Sequence, residues 1–429
     1  MPHIITMCGI VYLICHSKEG KMKKIMKFLA CTALLGVMGG SSGEILKQNL
    51  EQESENVALS NEFEGAAVTV GGQVDLQTHA KAAYLMDYST NTPIYAYNET
   101  KRLPIASMCK IMTLLLAFEA IDSEIITMDE SLCVSERAAS MGGSQVFLEA
   151  NARYCVRDLI KSIVVCSAND SCVALAERIA GSESLFVEKM NDKAKELGAT
   201  DTLFANCTGL PKEPQYSCAR DVAIMLKNLL KHEEYYKFGK VWVDKFSHPE
   251  GRYTEITNTN KLVRFYDGCD GGKTGFTNEA GFCLAATAKR ENMRVISVVI
   301  GEESSDTRFK DVRTMFDYAF ANYTAVPIIK KDEILTQTIE VLGGKEKTIN
   351  VYPERDFYAF TKRGEGNNVS YELAYEKLKA PIAQNTTVGE VILYQDGVEC
   401  DRINILSAVA VQKANFFHRL QEIARGWNK

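Results

Sequence analysis

The sequence predicts an α+β or α/β layer fold, one antiparallel sheet packed by helices, followed by a small all-β domain. Three observations carry this. Two β-rich stretches, at 82–98 and 279–301, bracket an interval filled by strongly apolar helical segments. After Pro327 the character changes to short strands separated by turn residues, as in "IIKKDEILTQTIEVLGGKEKTINVYPERDFYAFTKRG" and "TTVGEVILYQDGVECDRINIL". The 429 residues, 46% of them hydrophobic, are enough for two or three domains with a large core.

The elements follow in chain order. "KMKKIMK" (21–27) is a basic region, and "FLACTALLGVMGG" (28–40) is an apolar run ending in small residues. Together they predict an export signal over residues 1–43, with translation starting at Met22 or Met26 as an alternative to Met1. A buried N-terminal helix is the competing reading, and too few apolar residues precede Cys31 for a lipidated cysteine. The apolar run is too short to span a bilayer comfortably. Residues 44–64 are polar and read as a linker.

From 65 to 325 one domain is expected. "AAYLMDYSTNTPIYAYN" (82–98) reads as a hairpin. In "LPIASMCKIMTLLLAFEAI", Pro104 sets the entry and Ser107 sits just before an apolar helix. Helices are expected at "RYCVRDLIKSIVVC" (153–166), at "SCVALAERIAG" after a short "SAND" break, and at "ARDVAIMLKNLLKH" (219–232). "EAGFCLAATAKRENMRVISVVIG" reads as two strands around a polar turn at 289–292, and "DTRFKDVRTMFDYAFANY" as an amphipathic helix. The β-domain is expected over 326–402 and an amphipathic helix over 403–429. On that helix Phe416, Phe417, Leu420, Ile423, Ala424 and Trp427 share a face, with Lys413, Arg419, Arg425 and Lys429 supplying charge. A membrane-interface helix and a helix docked on the β-domain both fit this pattern.

Composition narrows the function. A net charge of -6 argues against nucleic acid as a partner. Ten of the 13 cysteines remain once residues 1–43 are removed. They form no C-x-x-C pair, so mostly free thiols are expected. No metal or cofactor motif is found. H-E-x-x-H and G-x-S-x-G are absent, and none of the six histidines has a marked serine partner. "DGCDGGKTGF" ends its glycine run in Gly-Lys-Thr, but a phosphate loop needs glycine where Asp267 stands and a helix after the lysine. Lys273 instead reads as lying at the head of an edge-type strand.

Three short signals then occur in order. Ser107-Met108-Cys109-Lys110 is an S-x-x-K at a helix start, where positions i and i+3 share a face. A serine hydroxyl needs a base to attack. A lysine can be that base only if burial or a second cation lowers its pKa. Ser107 at a helix N-terminus also sits in a positive field. Ser167-Ala168-Asn169 is an S-x-N between two apolar helices, able to present a hydroxyl and an amide to a cleft. Lys273-Thr274-Gly275 offers a fixed charge, a hydrogen bond and room for a close backbone. Each signal alone arises often by chance; their ordered combination, each in its proper setting, is specific.

With these motifs, the chain resembles the low-molecular-weight penicillin-binding proteins, serine-type D-alanyl-D-alanine carboxypeptidases related to the serine β-lactamases. "RLPIASMCKIMT", "VVCSANDSCVALAE", "NTNKLVRFYDGCDGGKTGFTNEAGFCLAATA", "GGSQVFLE" and "YSCARDVAIM" carry the likeness over roughly 65–325. It implies a β-lactamase/transpeptidase-like domain, with the β-domain and tail as this family's C-terminal part. It implies Ser107 as nucleophile, Lys110 as base, Ser167 and Asn169 as proton relay and amide holder, and Lys273 as the stabilising charge. The backbone N–H groups of Ser107 and Phe276 would form an oxyanion hole. Thr274, Gly275, Phe276, Thr277 and Arg308 would bind substrate, Thr274 and Arg308 at its terminal carboxylate.

The implied ligands are the peptidoglycan stem peptide and β-lactams, and the implied location is the extracytoplasmic face of the membrane or the wall. Met108, Cys109 and Phe276 depart from common family residues without removing a catalytic group. A serine β-lactamase is the rival enzyme, but no E-x-x-L-N lies between Asn169 and Lys273. An inactive wall-binding homologue is the rival from another class; the reactive groups all being present argues against it.

Overall fold

The computed structural model describes residues 68–70, 73–365, 368–395, 397–416 and 418. The expected export signal, the linker and most of the C-terminal helix lie outside the described residues.

A short hairpin of β1 (Val68–Val70) and β2 (Gln73–Asp75) leads into β3 (Ala82–Asp87) and β4 (Pro93–Tyr97), which pair as expected. A 3₁₀ turn, Ala106–Cys109, opens directly into α1 (Lys110–Asp122). Then come β5 (Ser131–Cys133), α2 (Glu136–Ala139), β6 (Arg153–Cys155), α3 (Val156–Cys166), α4 (Asn169–Ala180), α5 (Glu183–Glu196), α6 (Ala219–Leu229) and α7 (Tyr235–Gly239). The hairpin β7 (Val243–Ser247) and β8 (Tyr253–Thr257) and the turn α8 (Leu262–Phe265) precede β9 (Cys269–Thr277), β10 (Gly281–Arg290), β11 (Met293–Glu302) and α9 (Ser305–Asn322).

The central sheet runs β4-β3-β11-β10-β9 and every pair in it is antiparallel. Both of its faces are covered. Alternate residues on β3 divide between two cores: Ala82, Tyr84 and Met86 join the helical cluster around α1, while Ala83 and Leu85 pack with Phe309, Val312 and Phe316 of α9. Covering on both sides explains why β3 and β11 are buried along their whole length. The result is a helix–sheet–helix sandwich with α1 near its centre.

Three local expectations are corrected. Residues 153–155, expected as helix, form β6 against β5, in register Ser131↔Cys155. The break between α3 and α4 is only Ser167 and Ala168, since Asn169 already starts α4. Lys273 is not at the head of its strand; β9 begins at Cys269 and does form the sheet edge. Its glycines let β9 start early, because Gly271 and Gly272 approach Tyr235 and Ala285 too closely for any side chain.

From β12 (Tyr323–Ile329) onward the chain is β-rich: β13 (Thr338–Leu342), β14 (Thr348–Pro353), β15 (Phe357–Lys362), β16 (Val369–Ala374), β17 (Leu378–Lys379), β18 (Thr387–Gln395) and β19 (Val398–Ser407). β12 pairs β15, and the others form a six-stranded sheet ordered β16-β18-β19-β14-β13-β17. A third apolar cluster, including Ile339, Val351, Val391, Leu393 and Ile405, fills it. The segment expected to be helical from 403 therefore begins as strand. Ile403, Ile405 and Ser407 are buried and their neighbours are not, a period of two that a helix cannot satisfy.

Candidate active site

α1 is apolar on all sides, so it is buried on all sides; every residue from Lys110 to Phe118 is covered. That places the one charged group of its first turn in the interior. Lys110 has no exposed surface, and burial pushes its amine below the usual lysine range. Its Nζ lies 3.0 Å from Ser107 Oγ and donates to the Thr208 carbonyl at 2.5 Å. Ser107 itself remains partly accessible.

The Ala106–Ser107 backbone is gripped from two sides. Ala106 has φ of 47°, and a Cβ on Gly209 would stand 2.0 Å from its carbonyl oxygen. On the other side a Cβ on Gly275 would stand 2.6 Å from the Ile105 carbonyl oxygen and 3.2 Å from Ser107 N. Only glycine fits at either place. Gly209 also needs its positive φ of 79°.

β9 thus lies against the serine turn and brings Lys273 with it. Lys273 is buried, and its Nζ donates to the Thr274 carbonyl at 3.1 Å. Burial, the Lys110 amine and Arg308 hold it down to about 7. Burial lowers both amines, and the Lys110 charge further disfavours a proton on Lys273.

Ser167 closes α3 in the left-handed region, φ 66° and ψ 34°, a conformation that costs a non-glycine residue about 1 kcal/mol or more. Its hydroxyl is buried without a partner among the described residues. Asn169 donates Nδ2 to the Gly142 carbonyl at 2.7 Å, while its Oδ1 has no donor among the described residues. The cysteines flanking this motif, Cys166 and Cys172, are within electrostatic reach of both Lys110 and Lys273, which places the second motif beside the two amines. Buried polar atoms without partners are rare in folded proteins and mark a place where a ligand completes the set.

Thr274 Oγ1 donates to Thr259 Oγ1 at 2.8 Å. Arg308, from the first turn of α9, reaches back to the Gly275 and Cys283 carbonyls at 3.2 and 3.3 Å. Burial lowers its pKa to about 10, and no carboxylate pairs with it among the described residues. Phe276 is exposed and its ring lies 4.3 Å from that of Phe282, over which the Arg308 guanidinium sits at 5.4 Å. Thr277 Oγ1 accepts from Ala280 N at 3.1 Å and closes the β9–β10 turn.

Sequence reasoning missed several supports. Asn206 Oδ1 accepts from Thr208 N, Thr208 Oγ1 and Gly209 N, and so shapes the turn whose carbonyl holds Lys110. The Asp170 carboxylate accepts from Val146 N and Leu148 N at 3.1 Å, pinning the 142–148 segment over Asn169. The "NCTG" turn signal at 206–209 was legible; the carbonyl's task was not. All ten cysteines in the described residues are free thiols, in line with expectation. Asp201, Cys218 and Asp221 cluster, but Arg102 and Arg220 already pair with those carboxylates.

A partly accessible serine, a buried lysine at hydrogen-bond distance and a second buried amine on the adjoining edge strand define a serine-type acyl-transfer enzyme. Comparison with known proteins narrows the class. Residues 68–304 match the D-alanyl-D-alanine carboxypeptidase family, peptidase S11, and residues 323–413 match the penicillin-binding protein 5 C-terminal domain. The chain is similar to the D-alanyl-D-alanine carboxypeptidase DacF of Bacillus subtilis, 41% identical over 83% of this chain and 92% of the relative.

Among solved structures it resembles penicillin-binding protein 5 from Haemophilus influenzae, with 29% identity, a TM-score of 0.63, and coverage of 81% of this chain and 100% of that one. It also resembles penicillin-binding protein D2 from Listeria monocytogenes in its ampicillin-bound form, with 30% identity, a TM-score of 0.52, and coverage of 57% and 99%. The chain belongs to the D-alanyl-D-alanine carboxypeptidase family and is a serine-type peptidase of that family with a β-rich C-terminal domain.

Proposed function

We propose that this chain removes the terminal D-alanine from peptidoglycan stem pentapeptides through an acyl-enzyme on Ser107, and that β-lactams acylate the same hydroxyl. One observation supports this above the others: Lys110 Nζ stands 3.0 Å from Ser107 Oγ in a fully buried setting. A dry environment makes a neutral amine available near neutral pH, which a solvated lysine does not offer.

In this reading neutral Lys110 takes the Ser107 proton as Oγ attacks the carbonyl carbon between the two D-alanines. Charged Lys273 favours the developing negative charge, and the Ser107 and Phe276 N–H groups receive the oxyanion. Asn169 Oδ1 accepts the substrate amide N–H, and the Ser167 hydroxyl relays a proton to the departing D-alanine nitrogen. Thr274 and Arg308 hold the terminal carboxylate; a buried guanidinium with no acid of its own suits that task. Water then cleaves the Ser107 ester and the serine proton returns. Export and contact of the C-terminal segment with a membrane surface belong to the same reading, supported by residues 21–40 and 411–429 of the sequence.

The test is release of D-alanine from a D-Ala-D-Ala pentapeptide, together with fluorescent penicillin labelling of wild type and Ser107→Ala. Label and release in wild type only are expected. Label that persists in Ser107→Ala would move the nucleophile elsewhere.

A further inference from the structure

The end of β11 and the first turns of α9 hold a second group of titratable residues outside the serine cleft. Glu302, the last residue of β11, is 1% exposed; the Thr307 hydroxyl, which donates to the Ser304 carbonyl, lies near its carboxylate, but neither carboxylate oxygen makes a well-formed hydrogen bond among the described residues. The side chain it meets is another acid, Asp311 of α9, itself 4% exposed. Asp311 is already committed on its other side. It accepts His79 N at 2.6 Å, and His79 Nδ1 lies 3.3 Å from both its oxygens. Two ionised carboxylates in contact in the interior would leave two like charges and no donor between them. One proton turns the contact into an O–H···O⁻ hydrogen bond, among the stronger kinds in proteins.

Charge is sparse around the pair. From the segment entering β3 come His79 and Lys81; from β4, the Tyr95 phenol; from β10, the Cys283 thiol; from the cap of α9, Glu303 and the Thr307 hydroxyl; and from α9 itself, Arg308. Arg308 sits one turn before Asp311. Yet it forms no ion pair with either acid and instead spends its N–H groups on the Gly275 and Cys283 carbonyls and Ser305 Oγ.

We propose that Glu302 and Asp311 share one proton, and that this carboxyl pair seats the start of α9 so that the Arg308 guanidinium stays unclaimed for the substrate's terminal carboxylate. Glu302 is then a positioning residue for the reaction, acting through Arg308. The proposal rests on the carboxylate role given to Arg308 under Proposed function. A neutral Glu302 carries no charge to draw Arg308 away from the cleft; an ionised one does, since both side chains lie within electrostatic reach of Cys283. Burial, the charge of Asp311 and the bond to it push the Glu302 carboxyl up to about 8. The folded protein therefore keeps this proton where the unfolded chain, at about 4.5, has lost it. The pair's contribution to stability falls as pH rises from about 4.5 to about 8 and is gone above that.

The experiment uses the full chain and a D-Ala-D-Ala peptide, with kcat and KM measured from about pH 6 to about pH 9.5. Wild type should show KM rising about tenfold across the alkaline limb, beyond any change in kcat. Glu302→Gln keeps a neutral donor to Asp311 and should hold KM low and flat, with kcat near that of wild type. Asp311→Asn removes the neighbouring negative charge that keeps Glu302 protonated, lets Glu302 ionise, and should show the raised KM already at neutral pH. In the infrared, wild type near pH 7 should carry a protonated-carboxyl stretch that Glu302→Gln lacks.

An alkaline KM rise that persists unchanged in Glu302→Gln would overturn the proposal, as would a wild-type spectrum without that band. Arg308→Ala separates the two layers of argument. If its KM is unchanged while the carboxyl band is present, the carboxylate role of Arg308 is the part that fails. If its KM rises and the band is missing, the shared proton is the part that fails.

Discussion

The serine cleft and the C-terminal β-domain are built on opposite terms. Around Ser107 the interior holds two lysines, an arginine, and the Ser167 and Asn169 oxygens without partners. In the β-domain the interior is Ile, Val, Leu and Phe, with Thr361 and Ser407 its only buried polar side chains among the described residues. Ser407 is fully bonded, donating to the Ala383 carbonyl and accepting from Thr386 N. One region carries uncompensated polarity where a substrate must be bound and changed. The other has nothing left for a small ligand to complete. Substitutions in the two regions should therefore act differently.

The sharpest division comes from the reacting pair. Ser107→Ala and Lys110→Ala should each reduce acylation by penicillin about 10³-fold or more. Ser107→Ala should leave the thermal midpoint unchanged, because Ser107 is partly accessible, whereas Lys110→Ala removes a buried amine but leaves a cavity and the Thr208 carbonyl unpaired, and should lower it modestly without unfolding the chain. Unfolding of either variant would show that the cleft is a structural core after all. Next comes Lys273→Met. Acylation should fall about 10²-fold while stability rises by about 1–3 kcal/mol, because a buried amine is replaced by an apolar chain of similar length. Denaturant titration decides this, and a loss of stability would erase the contrast between the two regions.

In the β-domain the signs reverse. Ile405→Ala should cost about 2–4 kcal/mol, yet leave kcat/KM of the folded protein within about twofold of wild type. A large change in kcat/KM would mean that the two regions are coupled.

A further effect is in pH. Lys273 is held down to about 7 in the fold against 10.5 in the unfolded chain, so the folded protein has shed a proton that the unfolded chain still binds. Stability from this group should rise as pH climbs from about 7 to about 10.5, and Lys273→Met should abolish that gain. Acylation should be bell-shaped, since the active pair holds one proton and loses function with two or none.

What the sequence made legible is local. The i, i+3 spacing of Ser107 and Lys110, the apolar run that buries α1, and the turn at 289–292 each depend on neighbours along the chain. What it hid is remote or belongs to the backbone. The Thr208 carbonyl that holds Lys110 is a group every residue possesses, so composition gives it no signal. The expected boundary between β-domain and tail falls too early: "DRINIL" already reads as strand, and pairing with β18 carries it into the sheet past 403. The left-handed Ser167 was invisible, because serine has no special preference for that conformation and the packing of α3 against α4 imposes it.

The paired glycines 209 and 275 also limit how the enzyme can change. A β-lactam would be excluded by reshaping the pocket around the nucleophile. Here the two nearest walls admit no larger residue, because any added carbon would strike the main chain that carries Ser107. Evolutionary room therefore lies at the rim, at exposed Phe276, where substitution meets solvent rather than backbone. A laboratory selection for reduced β-lactam susceptibility should collect its changes there and leave positions 209 and 275 untouched.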